Sequence, residues 1–330
     1  MPDLSDRAIV LGDACVDVMV PMMQIADRNN VLSPSDKTLE PVLSAGGTGA
    51  NTAAALSKLG IKTAYMGTLG ADYGGRFLLE DLKQRDIHSE LTLIDENSNT
   101  VYVFAFIDEQ GERHPWAFPR TGVSYADYDL EKIDLSIIRK AKWLHSSGMT
   151  ILFDGTLRKH LPHIFKTAYE AGVPTSFDLN TRVNHLDKLE PGIVDAIRQT
   201  IPYVKYLLGS GQDEFFSFNP QDDWRDSVRS FKENGRVVIA RMGKDGAFLV
   251  DADREEQQKA FDVPVVNTIG AGDAFNAGFI AAILKGHSHS EAMKWGNAVA
   301  SYKVSGNSAR HTPDEATLLS FLRGAIDNSK

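Results

Sequence analysis

From residue 125 onward the chain alternates short apolar runs with longer stretches of helical character. The runs are Ala141–His145, Val173–Asp178, Tyr203–Leu208 and Arg236–Arg241, and helices are expected near residues 159–171, 188–200 and 222–234. Such alternation predicts a mostly parallel sheet with helices on both faces. Ligands of these sheets bind beyond the carboxyl ends of the strands. The chain's glycine turns and acidic residues fall at those ends.

The first strand is expected at Ala8–Gly12, followed by Asp13 and Asp17, with a second strand at Val16–Val20. A buried, unpaired carboxylate is costly. Asp17 therefore needs a backbone N–H, an arginine or the hydroxyls of a sugar. Residues 21–43, with Pro21, Pro34 and Pro41, read as loops and strands laid over the domain. Gly46, Gly47 and Gly49 precede Asn51 and a small-residue helix from Thr52 to Leu59. Glycines let backbone approach a ligand, and an asparagine amide suits a polyol. As a dinucleotide fingerprint the stretch fails, because Thr52 stands where the last glycine belongs.

Lys62–Gly67 reads as a strand, Gly67–Gly75 as a glycine-rich loop and Arg76–Arg85 as a helix. Asp72 either serves a ligand or caps that helix. Thr100–Ile107 and Glu112–Phe118, joined by a turn at Asp108–Gly111, form an aromatic hairpin. It is too apolar to stand bare in water and should cover a substrate or another subunit.

Asn267-Thr268-Ile269-Gly270-Ala271-Gly272-Asp273-Ala274-Phe275 lies between an expected strand, Phe261–Val266, and an apolar helix, Ala274–Leu284. Backbone N–H groups at a helix start favour an anion, and Asp273 in the first turn can take a proton from an attacking hydroxyl. The plain alternative is a helix start with an acidic first turn. Asp178 and Asn180 should point the same way in an extended segment. Arg182, two residues on, can hold a carboxylate or phosphate bidentately or make a surface ion pair. Gln212-Asp213-Glu214 could help hold a hydrated metal or be an ordinary acidic turn, and Gly243 and Gly246 admit a nucleotide or a hairpin turn. No P-loop, H-E-x-x-H or Cys/His metal cluster occurs.

A formal charge of −9 over 330 residues argues against nucleic acid and anionic membrane as partners. The single cysteine, Cys15, excludes an internal disulfide framework and suits a reducing cytoplasm. The N-terminus has no signal-like apolar run, and no stretch approaches a membrane span.

The glycine-asparagine stretch Gly46–Asn51 and the turn Thr268–Phe275, in this order, resemble the two signatures of the ribokinase-like, or phosphofructokinase B, carbohydrate kinases. The resemblance implies a single α/β domain over residues 1–330 with a three-layer fold and a mostly parallel central sheet. A small β-sheet lid would come from about 17–43 and 91–120. It implies transfer of the ATP γ-phosphate to a hydroxyl of a sugar or sugar acid. Asp273 would be the base, and Gly270, Ala271 and Gly272 the anion hole. Asp13, Asp17, Gly46, Gly47 and Asn51 match sugar-contacting positions. Glu214, or Asp213 in the next register, matches the acid near Mg2+. Gly243 and Gly246 match the nucleotide loop, and Asn297 a residue near adenine. The lid of such kinases often joins two subunits, which implies a homodimer.

Three features individualise the chain. Asn267 stands where relatives carry an aspartate that helps bind a monovalent cation, and a neutral amide weakens a K+ site. Ser210 and Gly211 replace the asparagine-first version of the motif around Glu214. Arg120 and Arg182 together suggest a carboxylate on the substrate. The competing readings are a nucleoside kinase of the same fold and a non-catalytic sugar-binding regulator.

Overall fold

The computed structural model describes residues 4–21, 41–107, 113–181 and 189–327. The chain enters on β1 (Ala8–Leu11) and continues through β2 (Cys15–Pro21) and β3 (Val42–Gly46) to helix α1 (Thr48–Lys58). Then come β4 (Thr63–Gly70), α2 (Tyr73–Gln84), β5 (Ile87–Asp95), β6 (Val101–Ile107) and β7 (Arg113–Phe118). The alternating region supplies β8 (Trp143–Ser147), α3 (Thr156–Glu170), β9 (Thr175–Asp178), α4 (Pro191–Thr200) and β10 (Tyr206–Ser210). It continues with a short α5 (Phe216–Phe218), α6 (Trp224–Ser230), β11 (Val237–Arg241), β12 (Ala247–Val250) and β13 (Glu255–Gln258). The chain ends in α7 (Ala271–Leu284), α8 (His289–Val304) and α9 (Glu315–Asp327).

Among the described residues, nine strands form one sheet in the order β13-β12-β11-β10-β9-β8-β1-β4-β5. The seven from β11 to β5 pair in parallel, and β12 and β13 close one edge antiparallel. Strand β1 shows why helices cover both faces. Its Ala8 and Val10 join the core under α1, α7 and α8, whereas Ile9 and Leu11 join the core under α3 and α4. An apolar run with period-two side chains buries both ways only between two helical layers.

A separate four-stranded sheet, β3-β2-β6-β7, is the lid. Trp116 lies opposite Phe104 across β7 and β6, and Phe118 opposite Tyr102. These rings form a ladder that begins in the core at Tyr102 and runs out to Trp116 and Phe118, which are 49% and 55% exposed.

Helix α7 is buried from Asp273 through Ala282. Phe275, Phe279 and Ile280 each contribute about 2 kcal/mol by leaving water. Its neighbours are small where it crosses them. A Cβ on Gly278 would stand 2.8 Å from the Trp295 carbonyl of α8, and α1 supplies Ala50, Ala53 and Ala54 to the same core.

Several local expectations are corrected. Phe261–Val266 is not a strand: Pro264 lacks a ladder N–H, and the Phe261 and Val266 N–H groups donate to the Ser301 hydroxyl and the Val304 carbonyl of α8. Gly67–Gly70, expected in a loop, is the end of β4. Leu91–Asp95, expected in the lid, lies in β5 at the edge of the large sheet beside β4. The Asp108–Gly111 turn and residues 22–40 lie outside the described residues. Asp72 is the N-cap of α2, accepting from the Gly75 N–H at 2.8 Å. Among the described residues no helix is long and apolar enough to cross a membrane.

Candidate active site

Gly270 begins the site. Its φ of +81° is left-handed, and a Cβ there would stand 2.9 Å from the Ala309 carbonyl, so only glycine fits. The chain then turns directly into α7. First-turn N–H groups of a helix have no intrahelical acceptor. Ala271 closes its own onto the Thr268 carbonyl at 3.1 Å. The remaining turn, with Gly272 bare of side chain, presents the positive end of the helix dipole.

Asp273 sits one residue further, 5% exposed. Its Oδ2 accepts from Asn51 Nδ2 at 3.0 Å. Asn51 Oδ1 in turn accepts from Arg310 Nε at 3.1 Å, and Arg310 Nη1 pairs with Asp81 of α2. An arginine can only donate and a carboxylate only accept, so the two neighbours fix which way the Asn51 amide faces. Burial pushes the Arg310 pKa down, against the opposing charge of Asp81. Arg310 Nη2 has no hydrogen-bond partner among the described residues.

Beneath Gly272 lies Arg241, from the end of β11. A Cβ on Gly272 would meet its guanidinium carbon at 3.4 Å. Asp178 holds Arg241 bidentately with two 2.7 Å bonds, and Asn276 of α7 bridges both. Burial alone would raise the Asp178 pKa, but Arg241 and Asn276 outweigh it and hold the carboxyl below its ordinary value. Held this way, the ion pair carries no net charge, but its guanidinium face lies beneath the Gly270–Gly272 turn.

The first glycine stretch builds the other wall. Asp13 Oδ2 and Oδ1 accept the N–H groups of Thr48 and Gly49 at 2.9 and 3.1 Å. A Cβ on Gly49 would stand 2.6 Å from Gly12 Cα, and one on Gly47, whose φ is +93°, would stand 2.5 Å from Ala14 Cα. The Asp17 carboxylate packs on Gly46, across the β2–β3 pair, and accepts from the Cys15 thiol at 3.4 Å. Burial, with Asp17 and Asp13 adding to it, pushes the Cys15 thiol well above its ordinary pKa.

At the far end, Gly246 (φ +89°) turns β11 into β12 so closely against residues 258–260 that no Cβ fits. Asn297 of α8 reaches the same segment, with Nδ2 at 3.5 Å from the Gln258 and Lys259 carbonyls. Gly246 and Asn297 thus converge on one backbone segment. Gly243, φ +58°, opens the preceding turn with space beside it.

Glu214 lies in a widened helical turn, Gly211–Phe215, and is 5% exposed. Its Oε2 accepts from the Ser210 N–H at 2.7 Å and its Oε1 from the Thr181 N–H at 2.8 Å. It therefore clamps two strand-end loops together. Among the described residues no three His, Cys, Asp or Glu side chains gather as a metal cluster. Mg2+ keeps most of its waters and takes few carboxylates, so a lone buried carboxylate fits it through water.

Arg120 is exposed beyond β7. Arg182 lies outside the described residues. Asn180 has φ +33°, so the segment after Asp178 is not extended and the two side chains do not share a face by alternation. Asp178 serves Arg241 instead. Sequence reasoning missed Arg241, Asn276, Arg310 and Asp81 as site residues. The one local signal was an arginine ending an otherwise apolar run at Arg241.

Comparison with known proteins identifies the family and the fold. The family model described as pfkB family carbohydrate kinase matches residues 9–316. A 5-dehydro-2-deoxygluconokinase of Geobacillus thermodenitrificans is 28% identical over 309 residues, covering 91% of this chain and 88% of the relative. Fructokinase-2 of Oryza sativa subsp. japonica is 29% identical over 263 residues, 77% of each. A crystal structure from E. coli in complex with ATP and Mg2+ superposes with a TM-score of 0.82, at 19% identity, over 97% of this chain and 99% of the other. The two glycine signatures, the lidded three-layer fold and the match across nearly the whole length place this chain in the pfkB family: it is a carbohydrate kinase.

Proposed function

We propose that this kinase transfers the γ-phosphate of ATP to a hydroxyl of a sugar or sugar acid, with Asp273 as general base and the Gly270–Gly272 turn as anion hole. The observation that carries this reading is the Asn51–Asp273 contact. It brings Asp273 of the second signature against Asn51 of the first. A hydroxyl held between Asp17, Asn51 and Asp273 would lose its proton to Asp273 as its oxygen attacks phosphorus. The helix N-terminus and Arg241 would take up charge on the transferred group, a stabilisation realised most fully in the transition state. Gly243, Gly246 and Asn297 would hold the nucleotide. Mg2+, held through water near Glu214, would offset phosphate charge. The lid would exclude water from the transfer.

A sugar acid is the favoured acceptor. Arg120 and Arg182 motivate it, and the Geobacillus relative bears the name of a gluconate-type kinase. The deciding experiment is an acceptor screen. Purified protein with Mg-ATP is offered aldonic and keto-deoxy acids, neutral hexoses and ribosides, and ADP release is followed. Acids should turn over best. Equal turnover of neutral hexoses removes the carboxylate requirement, and sugar binding without ADP release removes the kinase reading itself.

We also infer that the exposed end of the lid's aromatic ladder, at Trp116 and Phe118, packs against a second copy of the chain. An apolar strip of this kind is otherwise left in water.

A further inference from the structure

Lys303, in the last turn of α8, is wholly buried. A charge is tolerated in a protein interior when it is paired or coordinated. The Lys303 ammonium donates to the Asn267 carbonyl at 2.7 Å. Asn267 is the residue from which the phosphate-binding turn departs, three positions before Gly270.

The surroundings tie two backbone segments into one unit. The Val266 and Asn267 N–H groups both donate to the Val304 carbonyl, at 2.7 and 3.1 Å. Asn267 Nδ2 donates to the Asn307 carbonyl, and Asn267 Oδ1 accepts from the Ile269 N–H at 2.9 Å. Gly270 rests on the Ala309 carbonyl. Residues 266–270 and 303–309 are therefore strapped together, with a positive charge between them.

Potassium is held in proteins by backbone carbonyl oxygens that replace its water. A lysine ammonium carries the same single charge and three N–H donors. Unlike an ion, it cannot dissociate. A potassium ion beside it would meet a like charge in a low-dielectric interior. The neutral Asn267 fits this arrangement, since one built-in cation needs no extra carboxylate there. The residues present therefore do not suit a bound potassium ion.

We propose that the Lys303 ammonium takes the place of a monovalent cation behind the anion turn, making this kinase independent of potassium. The proposal rests on the kinase reading above and treats Lys303 as a positioning residue. It touches no reactant and acts through the Asn267–Gly270 backbone.

The test compares wild type and Lys303→Ala in choline, Na+, K+ and NH4+ chloride at equal ionic strength, by ADP formation and by melting temperature. Wild type should turn over and melt alike in all four salts. Lys303→Ala should lose about 10²-fold in kcat, the scale of a small misplacement caused far from the reacting atoms. K+ or NH4+ should restore most of that loss and raise the melting temperature, while choline should do neither. K+-stimulated turnover or K+-raised melting in the wild type overturns the proposal. So does a Lys303→Ala variant indifferent to the cation. If Lys303→Ala does not fold, Lys303→Gln keeps a donor for the Asn267 carbonyl without the charge. Its kcat should fall with the acceptor KM unchanged, and full kcat would refute the idea. Should no acceptor turn over in any salt, the kinase reading fails, and the melting temperatures still decide this inference.

Discussion

Asn51 Nδ2 donates to Asp273 Oδ2 across 3.0 Å, joining residues 222 positions apart in the chain. The bond orients the carboxylate, and Arg310 behind Asn51 keeps the amide from rotating. Asp81, Arg310, Asn51 and Asp273 thus form one chain of fixed groups.

Asp273→Asn removes the carboxylate proposed as the base while keeping its size. ATP affinity should stay within a few-fold and turnover should fall by about 10² or more. Isothermal titration with ATP, beside steady-state ADP release, checks both halves. Near-normal turnover would take Asp273 out of the mechanism.

Asn51→Ala frees the Asp273 carboxylate and leaves Arg310 Nε without its acceptor in a buried place. The expected stability loss is about 1–3 kcal/mol, the cost of an unmet buried partner, together with a fall in kcat. Denaturant midpoints and turnover are the measurements. An unchanged kcat would mean that the contact is structural only.

Arg241→Met should cost about 3–5 kcal/mol, because it strands the Asp178 charge in the interior. Adding Asp178→Leu should recover much of that stability but none of the activity, since the guanidinium beneath Gly272 stays missing. Urea unfolding of the single and double variants tests the first claim, and ADP release the second. Recovered activity in the double variant would show that Arg241 serves packing alone.

His145 supplies a pH dependence. Its Nδ1 bonds the Ser176 hydroxyl at 2.8 Å, and its Nε2 has no hydrogen-bond partner among the described residues. Burial pushes its pKa down from 6.5 to about 4. The folded state takes the proton less readily than the unfolded chain. Its contribution is therefore complete above pH 6.5 and declines as the pH drops from there towards 4, by about 3 kcal/mol in all. His145→Gln should flatten the fall in unfolding free energy over that interval. A slope as steep as the wild type's would assign the effect to other groups.

Trp116→Asp puts a charge on the exposed end of the lid ladder. Wild type should sediment as a dimer at micromolar concentration and the variant as a monomer, with its fold intact by circular dichroism. A monomeric wild type would leave the ladder needing another explanation.

Much of this was readable from the residues. Alternating apolar runs and helical stretches gave the sheet, since that pattern is local. The glycine turns before α1 and α7 and the place of Asp273 in the first turn of α7 were legible because glycines followed by a small-residue or apolar run mark a helix start locally. Arg241, Arg310 and Lys303 were not. Each acquires its role from partners far away in sequence: Asp178, Asp81 and Asn51, and Asn267. No local spacing announces such partners. Phe261–Val266 has the composition of a strand but pairs with no strand among the described residues, and β5 looks like lid strand because edge position leaves no mark in a short sequence. Arg182, on which the carboxylate argument partly depends, stays outside the described residues.

The grip of Asp13 on Thr48 and Gly49 bears on how the molecule comes together. Helix α1 has no side-chain cap of its own. Its opening turn is held instead by the acid that follows the first strand. A peptide cut to residues 44–60 alone should therefore be mostly coil. The glycine wall is a product of assembly, absent from any fragment that lacks Asp13.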